Sequence, residues 1–235
     1  MESAFPAAEI IEGLVSAHHK PAFGNLSIEK REKILMAAAQ EFSAKGFSSA
    51  NINIIAKRAG VSIGSMYNYF DSKEGLFLTL NDLSSHLIRT ILATTALEKG
   101  DLFLKYEKLL RAVQVYARLY PEFNQIYQEL TSEGLSHLSP SLSHSLEGMT
   151  ATYYRTLICE ARKNGEISKD VDEFTASFCM DNLLAMLQYA YSSRYYSERM
   201  KIFAGDDALE NDEKMIQGIM TFVRRALGAT KGETP

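Results

Sequence analysis

Three side chains on one short stretch of the chain have the types and spacing needed to read DNA bases. The stretch, residues 51–73, has the sequence NINIIAKRAGVSIGSMYNYFDSK. Ser65 and Asn68 can donate and accept hydrogen bonds to base edges, and Ile63 can contact a thymine methyl group. Gly64 is small enough for the backbone to approach a nucleic acid closely. The stretch therefore predicts a surface that reads bases in a groove of DNA.

Groups that can hold phosphates stand beside these side chains. Tyr67 and Tyr69 are both predicted to lie on the outer surface, where they can reach phosphate oxygens. Lys73 supplies a positive charge just beyond them. The predicted DNA-binding residues are Asn51, Asn53, Ser62, Ile63, Gly64, Ser65, Tyr67, Asn68, Tyr69 and Lys73.

Two short helices joined by a tight turn would position these residues. Asn51 is placed to cap a helix over residues 52–59, and Gly60 follows where the backbone needs a positive φ. Ser62 caps a second helix that runs through Phe70. This is the layout of a helix-turn-helix, whose second helix enters the major groove. An ordinary helical hairpin with half-buried tyrosines is the alternative, and the particular order of residues argues against it.

The same order of residues resembles the TetR family of transcriptional regulators. The family pattern is I-A-x-x-A-G-V-S-x-G-[ST]-[LIF]-Y-x-[YH]-F-x-[SN]-K-E-x-L. At the defined positions of this pattern the sequence reads Ile55, Ala56, Ala59, Gly60, Val61, Ser62, Gly64, Ser65, Met66, Tyr67, Tyr69, Phe70, Ser72, Lys73, Glu74 and Leu76, and only Met66 lies outside the pattern's choices. The close resemblance covers residues 28–80. Ile54, Ile63 and Asn68 differ from frequent family choices, and they bear on the operator sequence rather than on the fold.

Helical patterns fill the rest of the chain and predict an all-α protein. Residues 1–26 are expected to form a mobile N-terminal arm. Residues 27–73 form a three-helix, helix-turn-helix DNA-binding head. Residues 74–235 form a larger helical body for ligand binding and dimerisation. A long helix that starts near Lys73 and continues through Ile91 would link the head to the body.

Two helices near the C-terminus carry more apolar surface than one body can cover. Asp170 and Glu173 form a capping-box-like start for a helix over 171–199 that is apolar nearly all round. The last helix carries two adjacent stripes, Met215, Ile219, Phe222 and Ala226 beside Ile216, Met220, Val223 and Leu227. One stripe can face the body and the other needs a partner. This pattern predicts a homodimer, and the family resemblance implies a dimer through the last two helices.

The body is rich in aromatic and methionine side chains. Most of them are core residues, but buried tyrosine hydroxyls need partners and can line a mostly apolar ligand site. The predicted ligand-binding residues are Phe103, Tyr106, Tyr116, Tyr127, Tyr153, Phe178, Asn182 and Met186. The family resemblance favours a small-molecule effector, which we expect to be apolar or aromatic.

The charge is distributed unevenly along the chain. The 235 residues carry a net charge of −4. Residues 27–73 hold seven basic and four acidic side chains, a net charge of +3, so the remainder carries −7. A basic head on an acidic body fits a protein that contacts phosphates with one end only. A solvated charged surface is the alternative explanation of this asymmetry.

Several classes of protein are disfavoured by the sequence. It has no apolar run long enough to span a membrane and no signal-peptide pattern, so we expect a cytoplasmic protein without membrane partners. Cys159 and Cys179 lack CxxC spacing, which favours reduced thiols over a metal site. Nucleophile-elbow, HExxH and phosphate-loop motifs are missing, so we expect no enzyme activity, no catalytic residue, no metal and no cofactor.

Together these patterns predict a TetR-like transcriptional regulator, most simply a repressor. It would bind a palindromic double-stranded DNA operator as a homodimer and be released by its effector. Two alternatives remain open. The chain could be a regulator that has no small-molecule effector or that activates transcription. It could also be a helical small-molecule-binding protein or an enzyme that retains the hairpin.

Overall fold

A computed structural model of the protein describes residues 7–97, 99–130 and 139–228, with side chains for 9–96, 99–129 and 147–228. The described residues form α-helices joined by turns, with no β-strand among them, which confirms the all-α prediction. The helices are α1 Ala7–Glu12, α2 Pro21–Gly24, α3 Ile28–Ser49, α4 Ile52–Ala59, α5 Ile63–Tyr69, α6 Lys73–Leu97, α7 Leu102–Leu119, α8 Pro121–Leu130, α9 Ser139–Asn164, α10 Glu173–Ser192, α11 Arg194–Ala204 and α12 Asp212–Ala226.

The chain folds into two compact units. The first unit takes its described residues from Met1–Arg89 and Glu122–Ser139, and the second takes them from Thr90–Pro121 and Pro140–Pro235. The boundary of the first unit therefore differs from the boundary predicted at Lys73. Most of α6, through Arg89, and nearly all of α8 group with the predicted DNA-binding head.

An aromatic and aliphatic core holds the first unit together. Ile34, Leu35 and Phe42 on α3 are buried, and the Phe42 ring meets Phe77 of α6 edge-on at 5.2 Å between centroids. Helix α3 also packs against α4, and α4 against α5. Regular helix ends at Gly46, where φ is 70°.

The N-terminal residues are part of this unit. Helix α1 packs on α3, and Ile10, Ile11 and Leu14 are buried. Phe23 of α2 is completely buried as well. The prediction of a mobile arm is therefore wrong for residues 9–26, because their apolar side chains cover the helical head. The first six residues of that arm lie outside the described part of the chain.

Helices α7, α10, α11 and α12 form the framework of the second unit. Helix α7 packs against α10 and α12, and α10 packs against α11. The fully buried Tyr106 of α7 donates its hydroxyl hydrogen to the backbone oxygen of Met180 on α10, at 2.8 Å. This bond satisfies the buried hydroxyl and ties the two helices together.

The C-terminal helices differ from the prediction in two respects. The helix predicted over 171–199 is two helices, because Ser193 is extended with φ −129° and ψ 127°. The side chain that caps its start belongs to Asp172, which accepts from Thr175 N–H at 2.8 Å, rather than to Asp170. The double stripe of α12 is present. Ile216, Met220, Val223 and Leu227 are buried, whereas Phe222 of the other stripe is 61% exposed.

None of the helices in the described part of the chain is both long and apolar enough to cross a membrane.

Candidate nucleic-acid interface

Local hydrogen bonds build the helix-turn-helix. Asn51 Oδ1 accepts from the N–H of Asn53 at 2.9 Å and caps α4. Helix α4 ends at Gly60, which has φ 69° and ψ 32°, the left-handed conformation that side chains with a Cβ disfavour. Ser62 Oγ then accepts from the N–H of Ser65 at 3.0 Å and caps α5. The predicted caps and turn are all confirmed.

Helix α5 has one buried and one exposed face. Met66 is buried against the core, whereas Ile63 is 39% and Tyr67 53% exposed. Asn68 is exposed next to Tyr67. A Cβ added to Gly64 would meet only Ser62 Oγ, at 3.8 Å, so the space in front of the helix start is open. This face has room for another molecule at close range.

Most of the predicted DNA-binding residues are exposed. Those with exposed side chains or positions are Asn51, Asn53, Ser62, Ile63, Gly64, Tyr67 and Asn68. Ser65 is half-buried, and its hydroxyl oxygen lies 2.8 Å from that of Ser62. These eight residues therefore lie along α5, at its N-cap and at the start of α4, and all but Ser65 are exposed.

Tyr69 is the exception. It is buried, at 9% exposure, and its ring lies 6.2 Å from the ring of Phe23. The placement of Tyr69 on the outer surface is therefore wrong. The reason is that α2 packs against α5 and covers this side of it.

Lys73 is half-buried and already engaged within the protein. Its ammonium donates to the backbone oxygens of Ser48 at 2.9 Å and Ala50 at 3.3 Å. It also lies 4.9 Å from the centre of the Phe47 ring. These contacts give Lys73 a structural role in the turn between α3 and α4, in addition to the predicted role at a phosphate.

Glu41 is a residue of this site that sequence reasoning missed. It is 1% exposed, and its carboxylate accepts from Asn51 N–H at 3.3 Å and from Arg58 Nη1 at 3.1 Å. The bonds tie the start of α4 and its last turn to α3. The available signal was a charged residue three positions after Ala38, on the apolar side of a helix, because a charge in such a place needs partners.

Two lysines outside the predicted set of DNA-binding residues also belong to this part of the structure. Lys57 is exposed on α4, close in sequence to the turn, and adds positive charge there. Lys20 belongs to the N-terminal segment and donates from its ammonium to the backbone oxygen of Tyr67, at 2.8 Å. Lys57 could have been found from its position on an outward face of the predicted helix. The contact of Lys20 with α5 could not, because it arises only through tertiary folding.

The predicted ligand-binding residues are dispersed. Tyr106 and Phe103 are buried in the second unit, where Arg224 lies over the Phe103 ring at 4.5 Å, and Tyr116 and Tyr153 are half-buried. Tyr127 belongs to the first unit. The outward face of α10 holds Phe178, Asn182 and Met186, with Phe178 69% exposed. The structure therefore does not bring all eight together, and the last three do not line an interior site within one chain.

The interior of the second unit does contain an aromatic cluster beside an acidic group. The Tyr154 ring lies 6.2 Å from that of Tyr106 and 5.8 Å from that of Tyr153. Burial raises the pKa of Tyr153 to about 12. Burial, helped by the negative charge of Glu147, raises the pKa of Asp181 to about 6. This cluster combines apolar rings with a few polar groups, as small-molecule sites do.

No group of three or more histidine, cysteine, aspartate or glutamate side chains is placed to hold a metal ion within the described part of the chain.

Comparisons with protein families and with known sequences agree on the helix-turn-helix. Residues 34–80 match the family model of bacterial regulatory proteins, tetR family. The chain is 28% identical over 164 residues to the uncharacterized HTH-type transcriptional regulator YdgC of Bacillus subtilis (strain 168), across 70% of this chain and 82% of YdgC. It is 27% identical over 147 residues to the HTH-type transcriptional regulator UidR of Escherichia coli (strain K12), across 60% of this chain and 71% of UidR.

Solved structures share the fold. A TetR family transcriptional regulator from Chloroflexus aurantiacus superposes with a TM-score of 0.63 at 21% identity, and the match covers 88% of this chain and 97% of that one. The transcriptional regulator FadR from Bacillus subtilis, solved in complex with stearoyl-CoA, gives 0.62 at 16% identity and covers 81% and 97%. At these identities the likeness concerns the fold alone.

Proposed function

Since the chain is a transcriptional regulator of the TetR family, we propose that it is a repressor that binds a palindromic operator as a homodimer. The observation that carries the proposal is the exposed face of α5, where Ile63, Gly64, Tyr67 and Asn68 point outward from a buried Met66. Ile63, Ser65 and Asn68 would read base edges, and Tyr67 and Lys73 would hold phosphates. The chain is a regulator and not an enzyme, and it would act in the cytoplasm, where the operator is.

The exposed apolar surface of the second unit supports the homodimer. Phe222 of α12 and Phe174 and Phe178 of α10 are each more than 60% exposed in the single chain. Large apolar side chains on neighbouring turns favour burial against another surface. A two-fold dimer would present the same face of each chain to its copy, and it would match the symmetry of a palindromic operator.

An aromatic cluster in the second unit supports the proposal of release by an effector. The ring cluster of Tyr106, Tyr153 and Tyr154 offers apolar surface, and Asp181 offers a polar anchor. The fold neighbour FadR binds stearoyl-CoA, a ligand with a long apolar chain. A small apolar or aromatic effector that binds one conformation more tightly would shift α6, which continues from the first unit into the second.

Selection of duplexes from a random DNA pool, followed by gel-shift titration, tests the proposal. The wild-type protein should select a palindrome and bind it more tightly than random DNA by a factor of roughly 10³ or more. The double variant Ser65→Ala/Asn68→Ala should lose most of that preference. In vitro transcription from a promoter that overlaps the palindrome should fall when the protein is added. A protein that enriches no sequence would contradict operator binding, and a rise in transcription would identify an activator instead.

A further inference from the structure

The segment before the helix-turn-helix holds the C-terminal end of α5. Residues 18–26, which we call the clamp, precede the part of the chain that matches the family model, residues 34–80. Their backbone meets α5 directly, because the N–H of Lys20 donates to the backbone oxygen of Tyr69 at 2.8 Å. The clamp is therefore in contact with the helix that we propose to read DNA.

The side chain of Lys20 adds two charged contacts. Its ammonium donates to the backbone oxygen of Tyr67 at 2.8 Å and pairs with the carboxylate of Asp71 at 2.8 Å. The last carbonyl groups of a helix have no partners within the helix, and the helix dipole places partial negative charge there. Lys20 therefore meets both the hydrogen-bonding need and the charge at this end of α5.

Phe23 anchors the clamp in the core. Its ring is completely buried and lies 4.8 Å from the ring of Phe70 and 6.2 Å from that of Tyr69. Tyr69 is the last residue of α5, and Phe70 is its C-cap. Because α5 has only seven residues, it cannot be stable by itself, and its direction depends on what packs around it.

The clamp also lies close to the start of α6. A Cβ added at Gly75 would stand 2.9 Å from the backbone oxygen of His18. Backbone groups cannot retreat from such a contact as a flexible side-chain end can. A side chain at this position would therefore push the clamp away from the head.

We infer that Lys20 and Phe23 are positioning residues, and that the clamp sets the DNA sequence preference of α5 without contacting the bases. The inference rests on the proposed function of α5. The clamp fixes the orientation of the exposed face that carries Ile63, Tyr67 and Asn68. Loss of the clamp would leave the face intact but free to tilt, so contacts that need exact base geometry would weaken while contacts to phosphates persist.

Lys20 could instead act as a simple phosphate contact, and the two roles predict different results. A phosphate contact contributes alike to all sequences, and its loss lowers the slope of log affinity against log salt by about one for each head. A positioning residue contributes to the operator and leaves random DNA nearly unchanged. The ratio of operator affinity to random-DNA affinity therefore separates the two roles.

The test compares Lys20→Met with Lys33→Met, which removes the same charge from an exposed position on α3. Both are titrated against the operator selected by the wild-type protein and against random duplexes. Lys20→Met should lower operator affinity about tenfold, in line with the loss of charged hydrogen bonds, and change random-DNA affinity little. Lys33→Met should leave the ratio unchanged. Lys20→Arg, which keeps the charge and its donors, should restore most of the preference.

Two further variants test the clamp without changing Lys20. Phe23→Leu keeps an apolar side chain in the core and should lower the ratio in the same direction as Lys20→Met. Gly75→Ala should also lower the ratio of operator affinity to random-DNA affinity, although alanine is a better helix former than glycine. Gly148→Ala on α9, where an added Cβ meets nothing within 4 Å, is the matched control and should leave it unchanged.

Amide hydrogen exchange tests, in the absence of DNA, whether the clamp stabilises α5. In Lys20→Met and Phe23→Leu the amides of Met66 and Phe70, which bond within α5, should exchange faster, while those of α7 and α10 keep their wild-type rates. Equal losses of Lys20→Met on operator and random DNA, or unchanged α5 exchange, would overturn the inference. If the wild-type protein selects no operator, the proposed function fails, and the exchange rates still decide whether the clamp holds α5.

Discussion

The carboxylate of Glu129 on α8 accepts a hydrogen bond from the backbone N–H of Phe47, with 3.2 Å between Oε1 and N. The two residues are 82 positions apart. The bond is made next to Gly46, where the regular part of α3 ends, and a Cβ added at Gly46 would lie 2.9 Å from Glu129 Oε1. Glycine at position 46 therefore permits both the positive φ and the close approach of the carboxylate. A helix far along the chain thus helps to hold the turn that leads into α4.

Replacement of Glu129 should weaken the first unit. Glu129→Ala leaves the partly buried N–H of Phe47 without this acceptor, which should cost about 1–3 kcal/mol of unfolding free energy. Glu129→Gln keeps an acceptor oxygen and should cost clearly less. Urea unfolding followed by far-ultraviolet circular dichroism measures both variants. Equal losses would mean that the charge of Glu129, rather than this hydrogen bond, matters.

Lys73 should affect stability as well as DNA binding. Lys73→Ala removes the ammonium from the backbone oxygens of Ser48 and Ala50, so the unfolding free energy should fall by about 1–3 kcal/mol. If Lys73 also contacts a phosphate, binding should weaken on all sequences alike, and the salt slope should fall by about one per head. Salt titrations at a temperature where the variant is fully folded separate the two effects. An unchanged slope would restrict Lys73 to its structural role.

Asn68 should contribute to sequence reading. It is exposed on α5 beside Tyr67, so Asn68→Ala should leave the fold intact. We expect a loss of roughly 1–3 kcal/mol on the selected operator and little change on random DNA. Gel-shift titrations at one salt concentration measure both affinities. The same loss on both kinds of DNA would remove Asn68 from base reading.

Because one apolar stripe of α12 is exposed and the other is buried, a substitution in the exposed stripe can test the dimer without unfolding the chain. Phe222 is 61% exposed in the single chain, so Phe222→Asp should separate the subunits and leave each one folded. Met220 is 2% exposed on the other stripe, so Met220→Asp should unfold the protein instead. Light scattering at micromolar concentration gives the mass, and circular dichroism gives the folding. A wild-type monomer at that concentration would contradict the two-headed operator mechanism.

Asp181 should make the second unit less stable as the pH rises. Burial, with the charge of Glu147, raises its pKa to about 6, whereas an aspartate in the unfolded chain has a pKa of about 3.9. The folded state therefore binds more protons between these values, and stability falls as the pH rises through that range. Asp181→Asn should be more stable than the wild type by about 1–2 kcal/mol at pH 7.5.

The difference between Asp181→Asn and the wild type should nearly vanish at pH 4, where the folded carboxyl is protonated. Thermal unfolding midpoints at the two pH values provide the measurement. A constant difference at both values would show that the amide acts through packing and not through the charge.

Much of the first unit could be predicted from the sequence because its signals are local. The caps Asn51 and Ser62 act on backbone groups two or three residues away, and Gly60 is needed at one backbone position. In the second unit, the spacing of Ile216, Met220 and Val223 likewise follows from the geometry of a single helix. Such features depend on neighbours along the chain, so residue order determines them.

Only the tertiary structure decided which faces are covered and by what. Tyr69 is buried because Phe23 packs against it from a segment with no helical signal strong enough to predict its docking. Glu129 and Lys20 reach the helix-turn-helix through contacts 82 and 47 residues apart in the chain. Local preference carries no information about such partners, because burial and hydrogen bonding depend on the packing of distant segments. The sequence by itself therefore determined the helix-turn-helix and most of the candidate reading surface, and tertiary packing determined what holds that surface in place.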